Sequence, residues 1–181
     1  MTTSLFNFTA HIDESEVRRV LEAFNLDDAG IQRAVKRAIR KVAKRVKSRV
    51  AASTAKEVAI PKRVLDKRLK TYDKPDGLST KVWLGLNVIP VRYLGNPRQT
   101  RSGVRVGRHS FPGAFVMQNL GIQTGRVYRR TTKKKFPLET VSMEIYGHGE
   151  TAMRREAKAA ERYFLDVLTQ ELNYELQKRV R

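Results

Sequence analysis

Between positions 31 and 50 apolar residues return every three or four places: Ile31, Ala34, Val35, Ala38, Ile39, Val42, Ala43, Val46 and Val50. This spacing lays them along one stripe of a helix, and Asp27 or Asp28 stands where its N-cap belongs. Arg33, Lys36, Arg37, Arg40, Lys44 and Lys47 fall on the remaining surface, so the helix has an apolar and a cationic side. The stripe is built of small and β-branched side chains. They admit close approach of a neighbour but give modest helix propensity, so packing must supply the rest. Upstream, residues 14–24 have the pattern of a short amphipathic helix, and residues 5–12 alternate loosely, as a strand or an arm would.

Pro61 suits a first helical turn, and Val64, Leu65 and Leu69 would line one side of a short helix ahead of the turn Lys74-Pro75-Asp76-Gly77. After that turn the period changes from helix to strand. Residues 81–86, 103–108, 114–118, 126–130 and 140–146 read as strands with Gly and Pro between them. The short intervals favour hairpins, hence a mainly antiparallel meander. From about Glu150 the helical period returns, with Ala157, Ala160, Phe164, Leu168, Leu172 and Leu176 in a stripe able to cover one face of that sheet. The expected fold class is α+β: a long basic N-terminal helix, a mainly antiparallel β-meander, and a long C-terminal helix packed on the sheet. Residues 1–28 are expected to form an N-terminal arm with a short helix, and residues 29–181 a single α+β domain. A length of 181 residues suits one domain with a sizeable core.

Charge adds a partner to this picture. The chain carries 37 Lys and Arg against 18 Asp and Glu, a net +19, and self-repulsion of that size points to a polyanionic or acidic partner. The excess is concentrated in two blocks, residues 31–70 and residues 92–135, and the second contains no acid at all. Its cations are Arg98, Arg101, Arg105 and Arg108, then Arg126, Arg129 and Arg130, then Lys133, Lys134 and Lys135, beside Arg92. Both blocks are interleaved with periodic apolar residues, unlike a disordered tail. Each cationic surface has three readings: a solvated face, a surface that neutralises DNA phosphates without reading sequence, or a docking face for acidic patches of a neighbouring subunit. The lack of internal acids in the second block favours a partner.

Catalytic chemistry finds little to use. His11, His109 and His148 stand alone, in no metal-ligand spacing, and cysteine is absent. Asp73, Lys74 and Asp76 lie in a Pro/Gly turn, and Glu139 and Glu144 would point to opposite faces of a strand. The segment from Gly121 to Gly125 lacks the Lys-Ser/Thr of a phosphate-binding loop and reads as a turn. Trp83, Tyr93, Phe111, Phe115, Tyr128 and Phe136 suit base stacking superficially, but aromatics at strand spacing read more readily as core. The expectation is a protein that is not an enzyme, with no catalytic residues, cofactor or metal. Residues 1–16 have no basic start followed by a long apolar run, and no stretch has the length of a membrane span. The absence of cysteine fits synthesis in a reducing compartment such as the bacterial cytoplasm.

The segment Phe111-Pro112-Gly113-Ala114-Phe115-Val116-Met117-Gln118 resembles the Pro-Gly-Ala-Phe-apolar-x-Gln element of the minor tail protein Z family of long-tailed bacteriophages. Leu94-Gly95-Asn96-Pro97-Arg98 is similar to that family's Leu-Gly-Asn-x-Arg. Lys135-Phe136-Pro137-Leu138 is similar to its Lys-x-Pro-apolar step, and Gly125-Arg126 begins a strand with a later arginine as the family's does. Glu171-Leu172-x-Tyr174-x-Leu176-Gln177 resembles its Glu-Leu-x-Tyr-x-Leu-Gln. The likeness runs in consistent order over residues 29–181. The first 28 residues have no counterpart, and the family's arginine run is thinned here to Arg98, Arg101, Arg105 and Arg108. The resemblance implies a structural virion protein, a tail-completion subunit at the head-proximal end beside the terminator ring, that assists head–tail joining. Some such proteins are thought to engage the DNA end. The six-fold symmetry of a tail implies a closed ring of copies, six by expectation, in contact with the terminator and neighbouring tail or neck proteins. The sixteen cations singled out in the two blocks are the candidate contacts for DNA or acidic partners. Pro112-Gly113 is expected to set how the strand from Ala114 leaves its loop. The runner-up is a sequence-nonspecific nucleic-acid-binding protein.

Overall fold

A computed structural model of the chain describes residues 14–24, 26–75, 77–119 and 122–179. The expected strand or arm at residues 5–12, and His11 with it, lie outside the described residues. Helices α1 (Glu14–Glu22) and α2 (Asp28–Val58) come first, then the short α3 (Lys62–Asp66). Ten strands follow: β1 (Leu69–Asp73), β2 (Thr80–Leu84), β3 (Ile89–Pro90), β4 (Arg98–Gln99), β5 (Gly103–Val106), β6 (His109–Pro112), β7 (Ala114–Asn119), β8 (Ile122–Arg130), β9 (Leu138–Thr140) and β10 (Ser142–Met143). Helix α4 (Tyr146–Arg179) closes the order, so the α+β class holds.

Helix α2 starts where the pattern puts it. The Asp27 carboxylate accepts the Gly30 amide hydrogen at 2.7 Å, satisfying one orphan donor of the first turn. Ala34, Ala38, Val42, Val46 and Val50, at four-residue steps, are buried. Helix α4 answers with Ala160, Phe164, Leu168 and Leu172, also four apart and buried. Contacts between the two fall in reverse order along the chain: Arg37 meets Glu171, Arg45 meets Tyr163, and Glu57 meets His148. The helices are therefore antiparallel, with alanines on α2 leaving room for the larger side chains of α4.

The main support of α4 is thus α2, and not the sheet face expected from the sequence. The strands explain why. All pairings are antiparallel, as expected, but they form four small sheets of two or three strands: β1–β2, β3–β10, β4–β5–β6 and β7–β8–β9. A continuous meander broad enough to carry a 34-residue helix is absent from the described residues. Near its start α4 does meet strand residues. A Cβ at Gly149 would lie 2.4 Å from Leu86 Cδ2 and 3.1 Å from Leu84 Cδ2, so any larger residue there would have to displace both leucine methyls. Anchored there, α4 begins at Tyr146, four residues ahead of expectation and inside the segment 140–146 read as a strand.

Two other local readings change. Leu69 belongs to strand β1, fully buried opposite Leu84, and not to the helix before it. Ile122 to Gly125 are the first residues of β8 and not part of a turn, because the cross-strand partners Asn119 and Gln118 extend the hairpin. Arg68 holds the next segment by donating to the carbonyls of Gly85 at 3.3 Å, Asn87 at 2.5 Å and Val88 at 3.1 Å.

Pro112-Gly113 sits at the corner where the chain passes from the β4–β5–β6 sheet to the β7–β8–β9 sheet. Gly113 has φ +69, and its amide donates to the Ser102 carbonyl at 2.8 Å. A Cβ there would meet nothing within 4 Å, so the cost of a side chain is purely conformational. Gly113→Val is expected to destabilise the chain by about 1–2 kcal/mol, the penalty of a left-handed non-glycine residue. Thermal melting of the purified variant measures it, and an unchanged midpoint would show that the corner relaxes.

Candidate functional site

The two cationic blocks meet different fates. In the first, α4 supplies acids. Glu171 and Glu175 are one turn apart on α4 and only 4% and 3% exposed. Arg37 Nε donates to Glu171 at 2.5 Å, and its Nη1 lies 2.6 Å from Glu175. Arg33 Nε donates to Glu175 at 3.2 Å, and the Lys41 ammonium pairs with Glu171. Lys41 was outside the sequence-derived set; it lies four residues beyond Arg37, the repeat that faces α4. Arg40 is 3.5 Å from Asp73, which also accepts from Thr80 Oγ1 at 2.8 Å. The aliphatic stem of Lys36 packs beside Gly77. Arg45, also unforeseen, lies over the Tyr163 ring at 4.3 Å. Lys44 is exposed and Lys47 half-buried.

Burial pushes the carboxyl groups of Glu171 and Glu175 upward, but hydrogen bonds from Lys41 and Arg37 to Glu171, and from Arg37 and Arg33 to Glu175, outweigh it. Both are held below their ordinary value of 4.5. Desolvation likewise lowers Arg37, yet the two glutamates leave it raised. The first block therefore contributes a charge clamp that joins α2 to α4.

Four arginines of the second block have no such answer. Arg98 of β4 stands directly opposite Arg105 of β5, two like charges on one side of a hairpin. Val104 and Val106 flank Arg105 and are buried, so alternation turns the arginine outward. Arg101 lies in the turn before β5 and Arg108 in the turn after it, both exposed. Among the described residues no ion pair engages Arg98, Arg101, Arg105 or Arg108. Arg126, Arg129 and Arg130 are exposed on β8, and Lys133, Lys134 and Lys135 are exposed in the segment after it. Glu139 of β9 stands opposite Arg129.

Gln99, which no sequence pattern singles out, ties the two sheets that carry this block. Its amide donates to the Gly103 carbonyl at 2.9 Å and the Ala114 carbonyl at 3.4 Å, and its oxygen accepts from the Val116 amide at 2.9 Å. Strand β4 thereby stays in register with β7.

Most of these aromatics stand outside the core, contrary to expectation. Trp83, Phe111, Phe115 and Tyr128 are half-buried, and Tyr93 and Phe136 are exposed; of the six, Phe111 packs against the core. Phe111, directly opposite the buried Val104, shares its inward face, whereas Phe115 and Tyr128 alternate with the buried Ala114 and Val127 and so stand on the outward one. His109 Nε2 is 3.1 Å from the Ala59 carbonyl, and His148 is 3.5 Å from Glu57. Among the described residues no group of three or more His, Asp or Glu could hold a metal ion. No helix of the described residues is long and apolar enough to cross a membrane.

Arg37→Ala removes the one cation shared by both buried carboxylates, leaving Lys41 to Glu171 and Arg33 to Glu175, and is expected to cost about 1.5–3 kcal/mol, against about 1 kcal/mol or less for the half-exposed Arg33→Ala. Chemical denaturation of both variants checks the order. Because both glutamates are depressed, the clamp is complete above pH 4.5 and is lost as acidification carries pH through their lower folded values. A Glu171→Gln/Glu175→Gln protein is expected to show a shallower loss of stability on acidification than the parent. Parallel acid titrations of the two settle this, and identical slopes would place the acid sensitivity elsewhere.

No family model matches the chain, and no solved structure matches it. The chain is 29% identical over 119 residues to a protein of Escherichia phage N15 named tail completion protein, a match covering 58% of this chain and 63% of the relative. The chain thus spans less than two thirds of that relative's length. The ordered motifs between Leu94 and Gln177 and this match together make the chain similar to a phage tail-completion protein.

Proposed function

We propose that this chain is a structural subunit of a phage virion, placed at the head-proximal end of the tail, where it assists head–tail joining. Copies close into a ring, six to match a six-fold tail, and contact the terminator and neighbouring tail or neck proteins. The second basic block faces the polyanion or acidic surface at this junction, and the end of the packaged DNA is the polyanion present there.

The observation that carries the reading is the unequal treatment of the two blocks. Acids of α4 neutralise Arg33, Arg37 and Lys41 within the chain, whereas Arg98 and Arg105 oppose one another with no acid beside them. Like charges set face to face weaken a hairpin unless a partner's anion lies between them. The name of the phage N15 relative supports the setting in which that partner is met. The reading includes no catalytic role, cofactor or metal.

The same unpaired arginines also favour the runner-up, a sequence-nonspecific nucleic-acid-binding protein with no place in the particle. Electron microscopy of whole virions separates the two. The proposal expects a ring of this chain between tail tube and head, and fails if the protein is missing from mature particles. An Arg98→Glu/Arg105→Glu variant is expected to fold, since both side chains are exposed, and to reduce head–tail joining by an order of magnitude or more. Normal infectious titre from that variant would remove the second block from the mechanism.

A further inference from the structure

The sheet β7–β8–β9 has two unlike faces. Ala114, Val127 and Val141 on one face are buried against the rest of the molecule. On the other, Phe115 stands opposite Tyr128, and Tyr128 opposite Thr140; Arg130, two residues along β8, stands opposite Leu138. The two rings are 6.5 Å apart and tilted by 35°, and the Arg130 guanidinium lies over Phe115 at 5.4 Å. Arg126 is on this face as well, by the period of two. By the same register Glu139 belongs to the opposite face with Arg129, so among the described residues this face carries no acid.

We infer that this face binds single-stranded nucleic acid, its bases stacking on Phe115 and Tyr128 and its phosphates meeting Arg126, Arg130 and the lysines that follow β8. The inference rests on the reading of the second block as polyanion-facing and gives that partner a form. A duplex or an acidic protein surface would use the cations alone. Neither has a use for two flat rings held outward on a rigid strand pair between arginines. Unpaired bases do, because each presents a π-face to an aromatic ring or a guanidinium plane. A three-stranded sheet with one face in the core and aromatics on the other holds the platform without help from a loop. Gln99 ties the strand of the Arg98–Arg105 pair to β7, so a further pair of cations is held in the adjoining sheet.

The test uses the full chain and a labelled oligothymidylate of about twenty nucleotides, a length that exceeds the site of a single small module. Fluorescence anisotropy is read beside a duplex of equal length and polyglutamate. The expected result is tighter binding of the single strand than of either competitor. Phe115→Leu and Tyr128→Leu should each weaken it about 5- to 100-fold while leaving duplex binding unchanged. Tyr128→Phe keeps the ring and should bind as the parent does, so a loss in Tyr128→Leu cannot be assigned to the hydroxyl. Thermal melting of each variant confirms that the sheet is intact. Equal affinity for single strand and duplex, or leucine variants that bind like the parent, overturns the inference and leaves the proposed tail role standing. A chain that builds no ring on virions yet binds oligothymidylate through these rings overturns the tail role alone.

Discussion

The antiparallel seam between α2 and α4 is the contact on which the remaining structure depends. Local propensity alone does not hold either helix, since the inner stripe of α2 includes three valines and the start of α4 contains Gly147 and Gly149, and most helical stability in a protein comes from packing. Each gains its stability from the other. The alanines of α2 let the leucines of α4 come close, and the buried pair Glu171 and Glu175 fixes the sliding register, because only one offset brings both carboxylates to Arg37. A buried ion pair contributes little net stability over a well-packed apolar pair. Its contribution here is uniqueness of register between two long helices that could otherwise slip by a turn.

With the helices locked, the strands need not form one large sheet. They are divided among four small ones, each leaning on the helical seam or on its neighbour, and polar side chains make the joints. Arg68 closes the segment before β3 and Gln99 joins β4 to β7. The outward positions of β5 and β8 are thereby free to carry arginine, tyrosine and phenylalanine. The cations paired with acids of α4 and those of β4 and β5 without an ion pair among the described residues are thus separated in the chain.

The sequence was informative where one period dominates. The α2 stripe, its Asp27 cap, the α1 helix and most of the central strands follow from spacing and turn residues, and the left-handed Gly113 follows from Pro112-Gly113 before a strand. Legibility fails where a choice depends on long-range partners. Nothing local tells that the acids at positions 171 and 175 will be buried against cations 134 and 142 residues away, so the first basic block looks like open surface. The apolar stripe of α4 fits a sheet as well as a helix, and the strand β1 is too polar, with only Leu69 buried, to announce itself. Phe115 and Tyr128 face outward against expectation because alternation gives two faces without saying which is inward; Ala114 and Val127 at the neighbouring positions decide it. Gln99 left no signal, since its function is a set of bonds to backbone atoms that a single residue type does not disclose.

The opposed arginines of the β4–β5 hairpin carry a thermodynamic consequence. A fold that holds two guanidinium groups across from each other without a counterion is less stable by itself than when a multivalent anion sits over the pair, and mass action couples the two. Melting temperature in this protein becomes a reporter of the ionic composition of its surroundings. Sulfate, triphosphate or a short oligonucleotide will raise it with the logarithm of its concentration once that exceeds the dissociation constant, while chloride at equal ionic strength chiefly screens.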